Sequence, residues 1–254
     1  MQEIVQSVDR ALSILEVLSN YEEGLGLAEL SSKLGLHKST VHRLLATLIV
    51  KGYVEQSSLT NKYKITLKLF ELGNKKISNI NILEIARPYL KELMKKTNEV
   101  VHLVIRENID IIYIDKVESE NTIRMHSKIG RRSPMYCTAV GKAIMAGLEE
   151  EEVQDIWNKS EIKQYTDFTI TDFNDMKKEL ERIRKKGFAI DEQENELDVR
   201  CIGAAIFDYT GKPYAAISIS GPVTRMTDEK IEKFSKWLLY YASELSKELG
   251  YKIK

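Results

Sequence analysis

Arg43 carries the sharpest chemistry in this 254-residue chain. A guanidinium on the outer face of a helix can pair with both O6 and N7 of a guanine, the commonest specific contact in the DNA major groove. Its neighbours suit the same surface. Ser39, Thr40 and His42 can reach base edges or phosphates near the start of that helix, Thr47 flanks them, and Lys38 is a phosphate candidate. Further on, Lys62 and Lys64 alternate with Tyr63 and Ile65. On an extended strand both ammonium groups then share one side, where they can grip a phosphate backbone together. Between Lys33 and Lys68 there are seven Lys or Arg and one acidic residue, Glu55, in a chain whose formal net charge is zero. A basic segment inside a neutral chain is the electrostatic footprint of a discrete nucleic-acid-binding module.

A second constellation lies near the C-terminus. Ser218 and Ser220 are two apart on a strand, so their hydroxyls share a face, while Ile217 and Ile219 point the other way. If a hairpin pairs Cys201 with Ser220, then Cys201, Gly203 and Ala205 join the serines in a small, mildly polar face able to admit a ligand. A helix beginning at Ala139 and Val140 offers free backbone N–H groups and the positive end of its dipole to a carboxylate. Such donors, with few formal charges, suit a small anion or a keto acid. On spacing alone, solvent-facing serines are an equal reading.

Other chemistries find less support. A nucleophilic Cys201 needs a base, yet of the four histidines His37 and His42 fall in the basic segment, and His102 and His126 in strand patterns. Cys137, Cys201, His102 and His126 lack the short spacing of a metal site. Gly141-Lys142 resembles a phosphate-binding loop, but Tyr136 stands where its upstream glycine is required and Ala143 where Ser or Thr is. There is no Gly-x-Ser-x-Gly elbow. No catalytic residue, metal or cofactor is expected.

The elements that must position these groups follow from periodicity. Residues 7–19 place Ala11, Leu12, Leu15 and Leu18 on one apolar stripe. Gly24-Leu25-Gly26 breaks it, and Leu27–Leu34 reads as a second helix burying Leu27, Leu30 and Leu34. Gly35 suits a left-handed helix end. A third helix starts near Lys38, with Val41, Leu44, Leu45 and Leu48 inward, and stops at Gly52. This is the helix-turn-helix layout. Two short strands, 53–55 and 62–65, joined by a polar loop form a wing. Residues 66–78 read as a connecting helix, in which Leu67, Phe70 and Ile77 are candidate packing or dimer contacts. A domain boundary falls at Ser78-Asn79, and Pro88 marks a kink or fresh start in a helix over 82–96.

From Val100 the period becomes two. Strands are predicted at 100–106, 109–118, 122–128, 201–208 and 214–221, the last two as a hairpin, and helices at Ala139–Ala146, 150–158, 172–186 and 227–249. Adjacent strands with helices gathered elsewhere favour an α+β domain with an antiparallel sheet. The expected division is a winged helix-turn-helix domain over 1–65, a linker helix over 66–79, and an effector-binding and oligomerisation domain over 80–254. Two cysteines cannot build a disulfide framework, the N-terminal residues lack a signal-peptide core, and no apolar run approaches the ~20 residues that span a bilayer. A cytoplasmic protein without membrane partners is expected.

These residues resemble the IclR family of bacterial transcriptional regulators. The likeness rests on SVDRALSILEVLS from Ser7, LAELSSKLGLHKSTVHRLLATLIVKGYV from Leu27, PMYCTAVGKAIMA from Pro134, KKGFAIDEQENELDVRCIGAAIFD from Lys185 and AAISISGP from Ala215. It covers nearly the whole chain in the family's order. The resemblance implies a GAF-like C-terminal effector domain, dimers or tetramers on a palindromic or repeated double-stranded DNA operator, and a small anionic effector such as an organic acid or sugar acid. It also implies that Ala139, Val140, Asp191, Cys201, Ser218 and Ser220 line the effector pocket. Two departures stand out. Ala139 and Val140 replace smaller residues of some relatives, which would narrow the pocket, and Asp198 stands where a glycine is common. A ligand-responsive repressor of a catabolic operon is the expected function. The competing class is a metabolite-binding protein or enzyme whose N-terminal helices only contact other proteins.

Overall fold

A computed structural model describes residues 4–69, 71–72, 82–119, 121 and 128–252. The chain divides into two compact units, Met1–Ile80 and Asn81–Lys254.

In the first unit, α1 (Gln6–Ser19), α2 (Leu27–Leu34) and α3 (Lys38–Val50) are followed by β1 (Val54–Gln56) and β2 (Tyr63–Ile65), which pair antiparallel. The three helices close over Ile14, Leu18, Leu30, Val41, Leu45 and Leu48. Leu25 adds an isolated bridge to Tyr63 and joins that core. The α1 stripe sits differently from expectation. Ile14 and Leu18 face inward, one turn apart, and Leu12, some 200° around the helix from Ile14, is exposed. At the turn, Gly35 adopts φ 62°, and the N–H of Leu36 bonds back to the Ser31 carbonyl. That left-handed residue ends α2 and turns the chain toward α3.

The second unit begins with α4 (Ile82–Thr97). It runs through Pro88 without the predicted fresh start, because its buried stripe of Ile82, Ala86, Leu90 and Leu93 is continuous on both sides. Then come β3 (Val100–Glu107), β4 (Asp110–Val117), β5 (Arg132–Pro134), α5 (Ala139–Ala146), α6 (Glu150–Lys159), α7 (Phe173–Lys186), β6 (Ala189–Glu192), β7 (Val199–Phe207), β8 (Pro213–Pro222) and α8 (Asp228–Glu248). Among the described residues the strands make one antiparallel sheet in the order β5-β4-β3-β8-β7-β6. β5 and β6 are additions to the periodicity reading, being too short to alternate visibly. The predicted strand over 122–128 falls mostly outside the described residues, as do Phe70 and Ile77 of the connecting segment.

Both faces of the sheet are covered. Val101, Leu103, Ile202, Ile217 and Ile219 lie on the face that packs with α4 and α8. The opposite face carries Val104 and Ala216 into a core shared with α5 and α7. Every residue of α5 is buried, as expected of a helix that is apolar almost all round. The fold is α+β, with a winged helix-turn-helix at its N-terminal end.

Candidate nucleic-acid interface and candidate ligand cavity

On α3, Lys38, Ser39, His42, Arg43 and Thr47 are exposed, and Thr40 is half-buried. They occupy two stripes. Thr40, Arg43 and Thr47 border a groove shared with Gln6, Ser7 and Arg10 of α1, whereas Ser39 and His42 stand clear of it. Arg43 forms no ion pair among the described residues, so its planar fork of donors is uncommitted. Thr47 is less available, since its hydroxyl donates to the Arg43 carbonyl at 3.3 Å. The wing lysines differ from each other. Lys62 precedes β2, while Lys64 lies in it and pairs with Glu23 at 3.7 Å. Leu67 is 77% exposed, which rules out the intradomain packing considered for it.

In the second unit, strand register gathers groups distant in sequence. One row across the sheet runs Asp191, Cys201, Ser220, and the neighbouring row runs Gly203, Ser218, His102. All lie on the α5 side. Gly203 is required here, because a Cβ at that position would stand 2.7 Å from the Ala139 carbonyl carbon and 2.8 Å from the Val140 nitrogen. The missing side chain lets the first turn of α5 sit directly against β7. Thr138 caps that turn, accepting from Gly141 N–H at 3.2 Å and donating to the Pro134 carbonyl at 2.9 Å. The amides of Ala139 and Val140 have no helix carbonyl to bond.

Ala139, Val140, Asp191, Cys201, Ser218 and Ser220 thus line one cavity, together with His102, Tyr113, Arg131 and Asn195. It measures about 40 Å³, room for a few water molecules or a ligand of comparable size. Asp191 is its deepest charge. One oxygen accepts from the N–H groups of Glu194 at 2.8 Å and Asn195 at 3.4 Å. Burial, reinforced by the Glu194 carboxylate, lifts its pKa to about 7 against the pull of Lys142 and those two amides. Burial, with Asp191 beside it, also pushes the Cys201 thiol up, the wrong direction for a nucleophile. His102 lies near two serines, an arrangement that could suggest a hydrolytic pair. Burial and the nearby Lys116 ammonium push its pKa down to about 3, so it cannot take a serine proton near neutrality.

Lys142 is the unforeseen element. Its ammonium is fully buried on α5, ion-paired with Glu194 and, at 3.3 Å, with Glu179 of α7. The loop lending its amides to Asp191 is therefore tied to α5 as well. Asp198, in the position where the resemblance expects glycine, adopts φ 63°, a left-handed conformation that glycine takes without strain and Asp tolerates. Among the described residues no cluster of three metal-ligating side chains occurs, and no helix is long and apolar enough to cross a membrane.

Two family models match the chain: the IclR helix-turn-helix domain over residues 7–58, and the bacterial transcriptional regulator IclR C-terminal domain over residues 74–247. The chain belongs to the IclR family. It is 37% identical over 247 residues to the transcriptional regulator KdgR of Escherichia coli K12, covering 97% of this chain and 94% of that protein. To the transcriptional repressor IclR of the same organism it is 35% identical over 248 residues, covering 97% and 90%. Among solved structures, the Thermotoga maritima IclR is 37% identical, with a TM-score of 0.66 over 98% of this chain and 100% of that one. This IclR-family chain is accordingly a DNA-binding transcriptional regulator and not an enzyme, and its C-terminal unit is consistent with the GAF-like fold.

Sequence patterns found the serines, Cys201 and the α5 start, and the resemblance supplied Asp191. His102, Tyr113 and Arg131 were missed as cavity residues. His102 shares the parity of Val100 and Val104, but that signal becomes useful only once β3 is known to pair with β8.

Proposed function

We propose that this regulator is a repressor of a catabolic operon that answers to a small anionic effector, an organic acid or sugar acid, bound in the cavity between α5 and the sheet. One observation carries the reading: six residues from four separate segments, two of them at the start of α5, line a single cavity. Free amides and hydroxyls favour an anion, and the enclosed space favours a small one. Arg131 at the rim adds a cation. Lys38, Ser39, Thr40, His42, Arg43 and Thr47 form the DNA-reading face, with Lys62 and Lys64 on phosphates. The protein acts as a dimer or tetramer on palindromic or repeated half-sites, since two-fold-related recognition helices read two-fold-related half-sites. To switch anything, the effector must bind the DNA-competent and DNA-incompetent arrangements with different affinity.

A thermal-shift panel of keto acids, sugar acids and aromatic acids, followed by gel shift on DNA from upstream of the protein's own gene, tests this. At least one acid should raise the melting temperature and alter the gel shift. Ser220→Ala should blunt that response while leaving DNA binding intact. A panel without a single stabilising acid, or a Ser220→Ala dose response identical to the parent's, would remove the cavity from the reading.

A further inference from the structure

His102 stands directly opposite Ser218 in the β3–β8 ladder, and Ser220 lies diagonally beyond it on the same face. Its Nδ1 is 3.3 Å from Ser218 Oγ and 3.4 Å from Ser220 Oγ. The ring is 3% exposed and meets Tyr113 edge-on at 5.2 Å between centroids. All four side chains line the cavity.

A serine hydroxyl on its own turns freely and serves equally as donor or acceptor. A neutral imidazole nitrogen within reach of two such oxygens limits how their hydroxyl protons are shared. With Nδ1 bare, one serine donates to it and the other keeps its proton for the cavity. With Nδ1 protonated, it donates to a serine oxygen and both hydroxyl protons are kept. Either tautomer leaves the serine face at least one hydroxyl proton to donate, and burial and Lys116 keep the ring neutral across the physiological range.

We propose that His102 is a positioning residue of the cavity, whose Nδ1 bridges Ser218 and Ser220 and directs hydroxyl protons toward the carboxylate of an anionic ligand. This rests on reading the cavity as the effector site. It assigns to a residue outside the predicted set the task of making the serines donors.

The test is calorimetric titration of the full chain with pyruvate and with acetate, in the parent, His102→Asn, His102→Gln and His102→Phe. An Asn amide reaches roughly the place of Nδ1, and a Gln amide roughly that of Nε2. Asn should bind within a few-fold of the parent, while Gln and Phe should each lose roughly tenfold, the worth of one well-placed hydrogen bond. Should the phenyl variant fail to fold, the Asn and Gln comparison still decides. A merely space-filling role would rank the larger Gln nearer the parent. Equal affinities across the series, or Gln stronger than Asn, would overturn the proposal and leave the effector cavity standing. If neither acid binds the parent, the cavity is not a site for small carboxylates, and both readings fall.

Discussion

The two units spend their polar residues in opposite ways. In the winged helix the chemistry stands outside: Ser39, His42 and Arg43 are exposed, and the core beneath them holds no buried charge among the described residues. In the C-terminal unit the chemistry is inside. His102, Lys142, Asp191, Ser218 and Ser220 are buried between the sheet and α5, each with a hydrogen-bond or ion-pair partner. Exposed donors add little to stability and are free to meet DNA. Buried ones must be satisfied within the fold, so the ligand cavity and the core are one object. Function and stability are thus separable in the first unit and entangled in the second.

Breaking the entanglement should have the largest effect. Lys142→Ala leaves Glu194 buried without its cation and should cost about 3–5 kcal/mol in denaturant unfolding of the C-terminal unit. A cost below 1 kcal/mol would mean the network is dispensable. Arg43→Ala should cost ~1–3 kcal/mol of sequence-specific binding in gel shift, with the melting temperature unmoved. A melting shift as large as the Lys142 variant's would erase the contrast between the units.

Proton linkage sharpens it further. The raised pKa of Asp191, from 3.8 to about 7, means its stabilising contribution is full below 3.8 and lost as pH rises through 7. The depressed pKa of His102, from 6.5 to about 3, means the reverse: its contribution is full above 6.5 and lost as pH falls through 3. The slopes oppose, each by no more than about 1.4 kcal/mol per pH unit. Asp191→Asn removes one of them, so its unfolding free energy relative to the parent should grow with pH between 3.8 and 7. Parallel curves for variant and parent would refute that assignment. The smallest effect belongs to the wing. Lys62→Ala should weaken binding to specific and unrelated DNA alike, by about 1 kcal/mol or less, whereas a loss confined to the specific sequence would make it a base-reading residue.

Legibility in the sequence follows the same division. Leu27–Leu34 and the inward stripe Val41, Leu45 and Leu48 are local patterns, and the outer face of α3 is simply their complement. Ala139–Ala146 was equally local. The cavity depended on pairing. Cys201 opposite Ser220 was a conditional expectation that the β7–β8 register bears out. Lys142 meeting Glu179 and Glu194 had no local sign, since those partners lie 37 and 52 residues away. Nor could the short edge strands β5 and β6 be read, because three or four residues are too few to establish alternation.

The β3–β8 ladder that brings His102 beside Ser220 joins residues 118 positions apart in the chain. The cavity therefore has no existence before that long loop has closed, and an unfolded or partly opened chain has nothing with which to hold a ligand. A molecule that binds only the closed state at a hundred times its Kd stabilises it by about 2.7 kcal/mol, cutting the unfolded population roughly a hundredfold. Cellular proteases feed on that population. The effector would then govern how long each copy of the regulator survives as well as what it does on DNA, a dependence that pulse-chase half-lives with and without effector would reveal.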